Sequence, residues 1–471
     1  MDEEDRGIKT KARGCLVRFA KILLLAATAV VLFYQFENWR GARAWHAQRE
    51  RIEELGVKSW GERERIPVPP DKDNFFAIQQ LVGITVEEDW ETDERFAQFK
   101  ALSPSYWQDI PSVYKLEHSL PRPPSMGDSL KIKDRIEFDK LLEWGAETGW
   151  LSSSEGSPIE RLESEFAETY ALLQKAAKLR TQTFPLPPSD SYLERLPIWE
   201  CADGASYDVG FATSAGMRIR AHAQLVDGDV EGALDSMRVI FRIVEGYRAQ
   251  GSGRFSRLAG RHSLLAALCV IWDGIERRAF NAGQLELCKR ELESIDLAKS
   301  ALNGFERDII GYLDQLGHVK KNGWKHDDFP LLGINRRRSP SDAPLHVPRW
   351  VISWAPEGWF DQFRAEYARN ALDYGWIAGR DRGLMALSSK FATYRREKVT
   401  NRQTWLPQAA VYLGTREFTD VQDIRNSILR KRMALIAIAI EVFQLKTGSY
   451  PKSLEELAPE YLDSEFIYDS D

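Results

Sequence analysis

Residues Met217 to Glu245 read MRIRAHAQLVDGDVEGALDSMRVIFRIVE. Their reading decides the fold class. Apolar side chains recur every three or four positions on both sides of Gly228-Asp229, which is the spacing of a helix that buries one face. Glycine at 228 suits a tight reversal, and Asp229 is of a type that caps a following helix. Ala221 and Ala233 are small enough to let two helices lie close. The stretch therefore predicts two antiparallel helices joined by a short turn.

The same pattern extends outward. No proline occurs from Ile198 to Phe329. Helical periodicity covers Tyr207 to Leu225, Val230 to Gln250, Phe255 to Phe280 and Leu285 to Lys321, separated by Gly-Asp and Asn-Ala-Gly breaks. Elsewhere the 21 prolines act as punctuation. Short helices are expected at Phe75 to Leu81 and Arg135 to Thr148, and longer ones at Ile159 to Thr183, Trp359 to Trp376 and Asp381 to Lys398. Val347 to Ser353 and Gln408 to Leu413 are the candidate strands. The division that results is a tail (1–21), an apolar anchor (22–36), a helical stalk (37–66), a proline-punctuated region (67–197), a helical core (198–329), a proline-rich insertion (330–356) and a C-terminal helical region (357–471). The expected class is mainly α: an N-terminal transmembrane helix followed by an irregular multi-helix bundle with at least one helical hairpin.

Ile22 to Phe36 (ILLLAATAVVLFYQF) carries no charge. At ~1.5 Å per residue it covers roughly 22 Å of a ~30 Å hydrocarbon layer, and Leu16 to Ala20 lengthen it if Arg18 and Lys21 snorkel. Phe33, Tyr34, Phe36 and Trp39 gather at its far end, where amphipathic rings favour an interface. Six basic residues and no acid lie between Arg6 and Lys21, whereas Glu37 to Arg51 holds four basic and two acidic residues. The bias predicts a cytoplasmic N-terminus and an exported body, with the anchor in an inner membrane. A cleaved signal peptide shares these features, and Ala42-Arg43-Ala44 satisfies the small-residue cleavage rule. Charges at Glu37, Arg40 and Arg43 and the aromatic cluster favour a retained signal-anchor.

Met217 to Glu245 resembles a tetratricopeptide-type hairpin, with Ala221 and Ala233 at the small packing positions. A solenoid needs about three such repeats. Two more in register are not evident, so a single hairpin within a bundle is expected. The C-terminal stretch Arg430 to Leu462 predicts a hydrophobic helix ending at Gly448, a turn at Tyr450-Pro451, and a second helix capped by Ser453 with Glu456 in a capping box. Its pattern G-x-Y-P-x-S-L-x-x-L (Gly448, Tyr450, Pro451, Ser453, Leu454, Leu457) resembles the end of many uncharacterised single-pass bacterial envelope proteins with a helical body. A looser form occurs in type II secretion pseudopilins. Those place membrane helix and motif in one short domain, whereas more than 380 residues separate them in this chain. Met433 to Ile440 is apolar, but Glu441 ends the run and its length fits a buried core helix.

The formal net charge is −6, from 64 Lys+Arg and 70 Asp+Glu. Residues 1 to 21 contribute six basic and four acidic groups, which leaves 58 against 66, or −8, for the rest. An acidic body argues against nucleic acid as a partner. Four scattered cysteines (15, 201, 269, 288) form neither a disulfide framework nor a zinc motif, and Cys269 and Cys288 fall on apolar helical faces as expected buried thiols. Ser112 to Lys115 matches S-x-x-K and Lys446-Thr447-Gly448 matches K-T-G, but no S-x-N element lies between them and K-T-G ends a helix. Phe211 to Gly216 (FATSAG) approaches a nucleophile elbow without its first glycine, and reads better as a helix-packing face. His318, His326, Asp327 and Asp328 match no metal-ligand spacing. No cofactor motif or metal site is expected, and the sequence leaves a catalytic set unassigned.

What remains is a binding vocabulary. Arg336, Arg337 and Arg338 present planar forks for an anion, a lipid headgroup or a carboxylate. Trp350, Trp354 and Trp359 cluster nearby, a residue type enriched at interaction hot spots. The expected function is a membrane-anchored protein-interaction or assembly module exposed outside the cytoplasm, with an envelope hydrolase or a small-ligand domain as alternatives.

Overall fold

The computed structural model describes residues 2–57, 75, 145–146, 151, 156–179, 196–250, 254–322, 356–373 and 405–463. These form nine α-helices: α1 (Asp2–Glu54), α2 (Pro158–Ala176), α3 (Leu196–Asp227), α4 (Val230–Gln250), α5 (Arg254–Glu276), α6 (Ala282–Glu293), α7 (Leu297–Asn322), α8 (Glu357–Asp373) and α9 (Trp405–Thr447). A 3₁₀ turn at Leu454–Leu457 follows. Among the described residues there is no strand. The multi-helix bundle expected from periodicity is what forms.

The hairpin of α3 and α4 turns as its residues require. Gly228 takes φ +79°, a left-handed conformation that costs any residue with a Cβ about 1–2 kcal/mol. Asp229 Oδ1 then accepts the Gly232 amide at 3.0 Å, satisfying a donor that the first turn of α4 leaves open. Ala221 and Ala233 are fully buried between the helices. Helix α5 packs against both α3 and α4, and α6 follows it after a short connection. That connection holds Arg278 at φ +53° and ends in a capping box. There Asn281 Oδ1 accepts the Gln284 amide at 3.0 Å, and Gln284 Oε1 accepts the Asn281 amide at 2.9 Å.

Contacts fix how the helices run. Phe211 meets His262, Ser214 meets Ser263 and His222 meets Asp273, so α3 and α5 are parallel with an offset near fifty residues. Lys431 donates to the Ile295 carbonyl and Lys446 pairs with Glu286, so α9 runs antiparallel to α6. Helix α9, far away in sequence, packs against both α5 and α6. One apolar core runs through α2, α3, α4, α5, α6 and α9 and includes Tyr170, Leu173, Met217, Ile240, Leu264 and Leu435. Burying each large aliphatic side chain there contributes about 1.5–3 kcal/mol.

Several boundaries differ from the pattern reading. Gln408 to Leu413 lies inside α9 and is not a strand: a short apolar run has no period of its own, and here the helix that follows continues through it. Leu285 to Lys321 is two helices, not one. Asp296 ends the continuity, because its Oδ1 accepts the Lys299 amide at 2.9 Å and caps α7. The predicted helix after Ser453 is a single 3₁₀ turn. Ser453 makes no side-chain cap to it, and Glu456 accepts the Lys452 amide at 3.1 Å instead of that of Ser453. Leu457 nonetheless anchors the turn, fully buried, while Tyr461 stacks edge-on against Phe443 at 5.5 Å. Gly448 does close α9, with φ +81°. Met433 to Ile440 is core helix, with Ala434, Leu435, Ile438 and Ala439 buried. Phe211 to Gly216 is a packing face of α3, where Ala212, Thr213 and Ser214 are buried.

Helix α1 is unbroken from the basic tail to Glu54. An 18-residue window within Val17–Glu54 has a mean hydropathy of 1.9 and is 0% buried, so α1 is long and apolar enough to cross a membrane. The Thr28 hydroxyl donates to the Leu24 carbonyl at 2.8 Å, so this polar group is satisfied within its own helix.

Candidate functional site

Among the residues expected to bind a partner, only Trp359 is described; Arg336, Arg337, Arg338, Trp350 and Trp354 lie outside the described residues. So do His326, Asp327 and Asp328, Ser112 and Lys115, the predicted strand at Val347 to Ser353 and the predicted helix at Asp381 to Lys398. Trp359 sits in the first turn of α8, and its neighbours are on α1.

Helix α8 begins after Pro356, which has no side-chain acceptor with which to cap it. Asn38 of α1 supplies one: its Oδ1 accepts the Gly358 amide at 2.8 Å. One residue earlier, Glu37 Oε2 accepts the Trp359 indole N–H at 3.0 Å, the Gln362 amide at 2.9 Å and the Arg40 guanidinium at 2.8 Å. Glu37 is 6% exposed, so these three donors stand in for the water it has lost. Arg40 also donates to Gln362 Oε1 at 2.8 Å. At the other end of the contact Arg51 pairs with Asp373 at 2.8 Å. Residues 38, 45 and 51 thus meet 358, 364 and 373 in order, so α1 and α8 are parallel.

The crossing point is glycine on glycine. A Cβ at Gly41 would lie 2.0 Å from the Gly358 carbonyl oxygen, and one at Gly358 would lie 2.1 Å from that of Glu37. Beyond it Ile52 joins Ile309, Ile310, Leu313, Phe363, Tyr367, Ala368 and Ala371 in a second apolar cluster, and the Arg364 guanidinium stacks 3.9 Å from the Trp45 ring centroid. The segment read as a stalk is therefore sheathed along one face by α8. No residue-type rule pointed to this site, although the Gly-Trp-Phe run at the start of α8 and the Glu-Asn pair after the apolar stretch were visible signals.

A second polar cluster lies between α3 and α5. His222 Nδ1 is 2.8 Å from Asp273 Oδ2, and Asp273 Oδ1 accepts the Arg277 Nε–H at 2.9 Å. One turn back Arg218 donates to the Cys269 sulfur. Histidine oriented by aspartate is the geometry of a general base, and a thiol lies on the same face of α5. The electrostatics oppose such use. Burial pushes the His222 pKa down, against the pull of Asp273, and pushes the Cys269 thiol up, against Arg218. Burial opposes ionisation of Asp273 too, but His222 and Arg277 hold its carboxyl below the usual range. Neutral imidazole and neutral thiol make this a structural polar seam.

A third chain of hydrogen bonds ties α2 to the first hairpin. Arg220 donates to Glu163 at 2.7 Å and to Ser236 at 2.9 Å, Ser236 donates to Gln224 at 2.7 Å, and Gln224 reaches Asp229 at 3.3 Å. The Arg220 guanidinium also lies 4.9 Å from the Tyr170 ring centroid. Among the described residues no group of three His, Cys, Asp or Glu side chains is arranged to hold a metal ion. Cys269 and Cys288 are buried free thiols. Comparison with known protein families, with curated proteins and with solved structures gives no match.

Proposed function

We propose that this chain is a single-pass membrane protein whose helical body, outside the cytoplasm, serves as a protein-interaction or assembly module of the envelope. The observation that carries the reading is α1 itself. Its apolar stretch is exposed on all sides, while the same continuous helix, one turn further on, is built into the body through Glu37, Asn38 and Gly41. Such an apolar surface needs lipid to cover it, and the docked half gives the anchor a rigid attachment.

The dock also supports retention of the helix over its removal. Cleavage after Ala44 would detach the carboxylate, amide and glycine that meet α8, leaving Trp359 and Gln362 without their acceptor. The basic tail supports a cytoplasmic N-terminus and an acidic body on the opposite side. Resemblance of the C-terminal motif to that of single-pass envelope proteins points the same way. The helical bundle offers scaffold surface, and its His222, Asp273 and Cys269 are buried away from solvent, which favours an interaction role over hydrolysis.

Chemical cross-linking in intact membranes, followed by purification in mild detergent and mass determination, tests the reading. A stoichiometric partner or a defined homo-oligomer is expected in the alkali-resistant membrane fraction. Recovery of the monomer alone, repeatedly, or extraction of the chain by alkaline carbonate, overturns it.

A further inference from the structure

Resting on the membrane reading above, we propose that the start of α8 lies in the lipid headgroup layer, so that the body seats directly against the bilayer surface instead of standing off on a stalk. Twenty residues from Val17 to Phe36 span about 30 Å, the thickness of a hydrocarbon core, when Arg18 and Lys21 reach back to the opposite headgroups. The core then ends at Phe36. The next five residues of α1, Glu37 to Gly41, rise about 7.5 Å, comparable with one headgroup layer, since a bilayer about 40–45 Å thick overall leaves about 5–8 Å on each side of the core.

Within that layer α1 has two unlike faces. Glu37 and Gly41 are buried against α8, whereas Phe36 and Trp39 stay 54% and 57% exposed with ring centroids 6.0 Å apart. The Arg43 guanidinium lies 5.6 Å from the Trp39 ring centroid, and the Arg40 side chain is half exposed. Exposed aromatic rings followed by guanidinium groups are suited to the glycerol and phosphate levels of a lipid surface in turn. Helix α8 is bound to the same level, because its second and third residues are hydrogen-bonded to Asn38 and Glu37. A partner with that order of chemistry, apolar then anionic over a few ångströms, is a phospholipid headgroup layer.

The test uses the full chain with Cys15→Ser and Cys201→Ser, leaving the buried Cys269 and Cys288. A polarity-sensitive fluorophore is placed singly by Leu24→Cys, Trp39→Cys, Glu357→Cys or Glu50→Cys, and each protein is reconstituted in phosphatidylcholine and phosphatidylglycerol vesicles. Lipid-borne quenchers at shallow and deep positions are the probes. Labels at 39 and 357 are expected to be blue-shifted relative to the label at 50 and quenched more by the shallow lipid than by the deep one. The label at 24 is expected to answer to the deep quencher. A label at 357 as water-exposed as that at 50, with 24 still lipid-quenched, overturns the seating and leaves the anchor intact. A water-exposed label at 24 overturns the membrane reading and the seating with it.

Discussion

Replacing Gly41 by alanine should separate α1 from α8. The new Cβ would sit 2.0 Å from the Gly358 carbonyl, and both neighbours are backbone, so the helices must part until that distance reaches at least the 3.4 Å of ordinary contact. Three short hydrogen bonds span this point: Asn38 to the Gly358 amide at 2.8 Å, and Glu37 to Trp359 and Gln362 at 3.0 and 2.9 Å. At about 1 kcal/mol for the neutral bond and about 2 kcal/mol for each to the carboxylate, the gross loss is about 5 kcal/mol. Alanine is the better helix former by about 1 kcal/mol, and partial relaxation returns a similar amount. The net cost is about 3 kcal/mol, roughly a hundredfold in the local opening equilibrium. Amide hydrogen exchange on the detergent-solubilised full chain reads this directly, as a loss of protection at Gly358 and the first turn of α8 with the α3–α4 hairpin unchanged. Unchanged or increased protection at Gly358 would show that helix propensity outweighs the contact, and would refute the close crossing.

Further outcomes follow from the hairpin and the buried groups. Asp229→Ala removes the α4 cap and should lower stability by about 1 kcal/mol, seen as a lower urea midpoint with an unchanged slope. His262 is held to a pKa of about 4, mainly by burial and secondarily by Arg261 and Arg218. Its neutral form is the folded one, so the unfolded chain takes up the proton first as pH falls below 6.5. Stability should drop between there and about 4 by up to about 3 kcal/mol, and His262→Gln should flatten that part of the urea-midpoint profile; a parallel profile would contradict the assignment. Burial pushes the Cys288 thiol up to about 12 and raises that of Cys269. Neither should react with maleimide until the protein is unfolded, and rapid native labelling at either would be incompatible with the core described.

How far the sequence disclosed this arrangement depends on whether a contact is local. The turn at Gly228-Asp229, the α9 stop at Gly448 and the core character of Met433 to Ile440 all rest on residues within a few positions of one another, and periodicity reports them well. The break at Asp296 was hidden because it interrupts a run that is apolar on both sides. The place of α9 beside α6 could not be read at all, since nothing in Lys431 or Lys446 names Ile295 or Glu286. The same holds for the α1–α8 site. Trp359 was singled out by residue type alone, and its indole donates to Glu37 of its own chain, a contact no local pattern names.

The cap that Asn38 lends to α8 has a consequence for how the molecule comes to exist. Its two partners are 320 residues apart. At about 5–20 residues per second, α1 is made some tens of seconds before α8 emerges to meet it. Through that interval the first turns of the docking face of α1 are solvated, and they are composed accordingly: a carboxylate, an amide and a glycine, with Trp45 and Ile52 only further along. The stretch that waits opens on polar groups and the stretch before it is apolar on every side, so the order of synthesis is written along the length of a single helix.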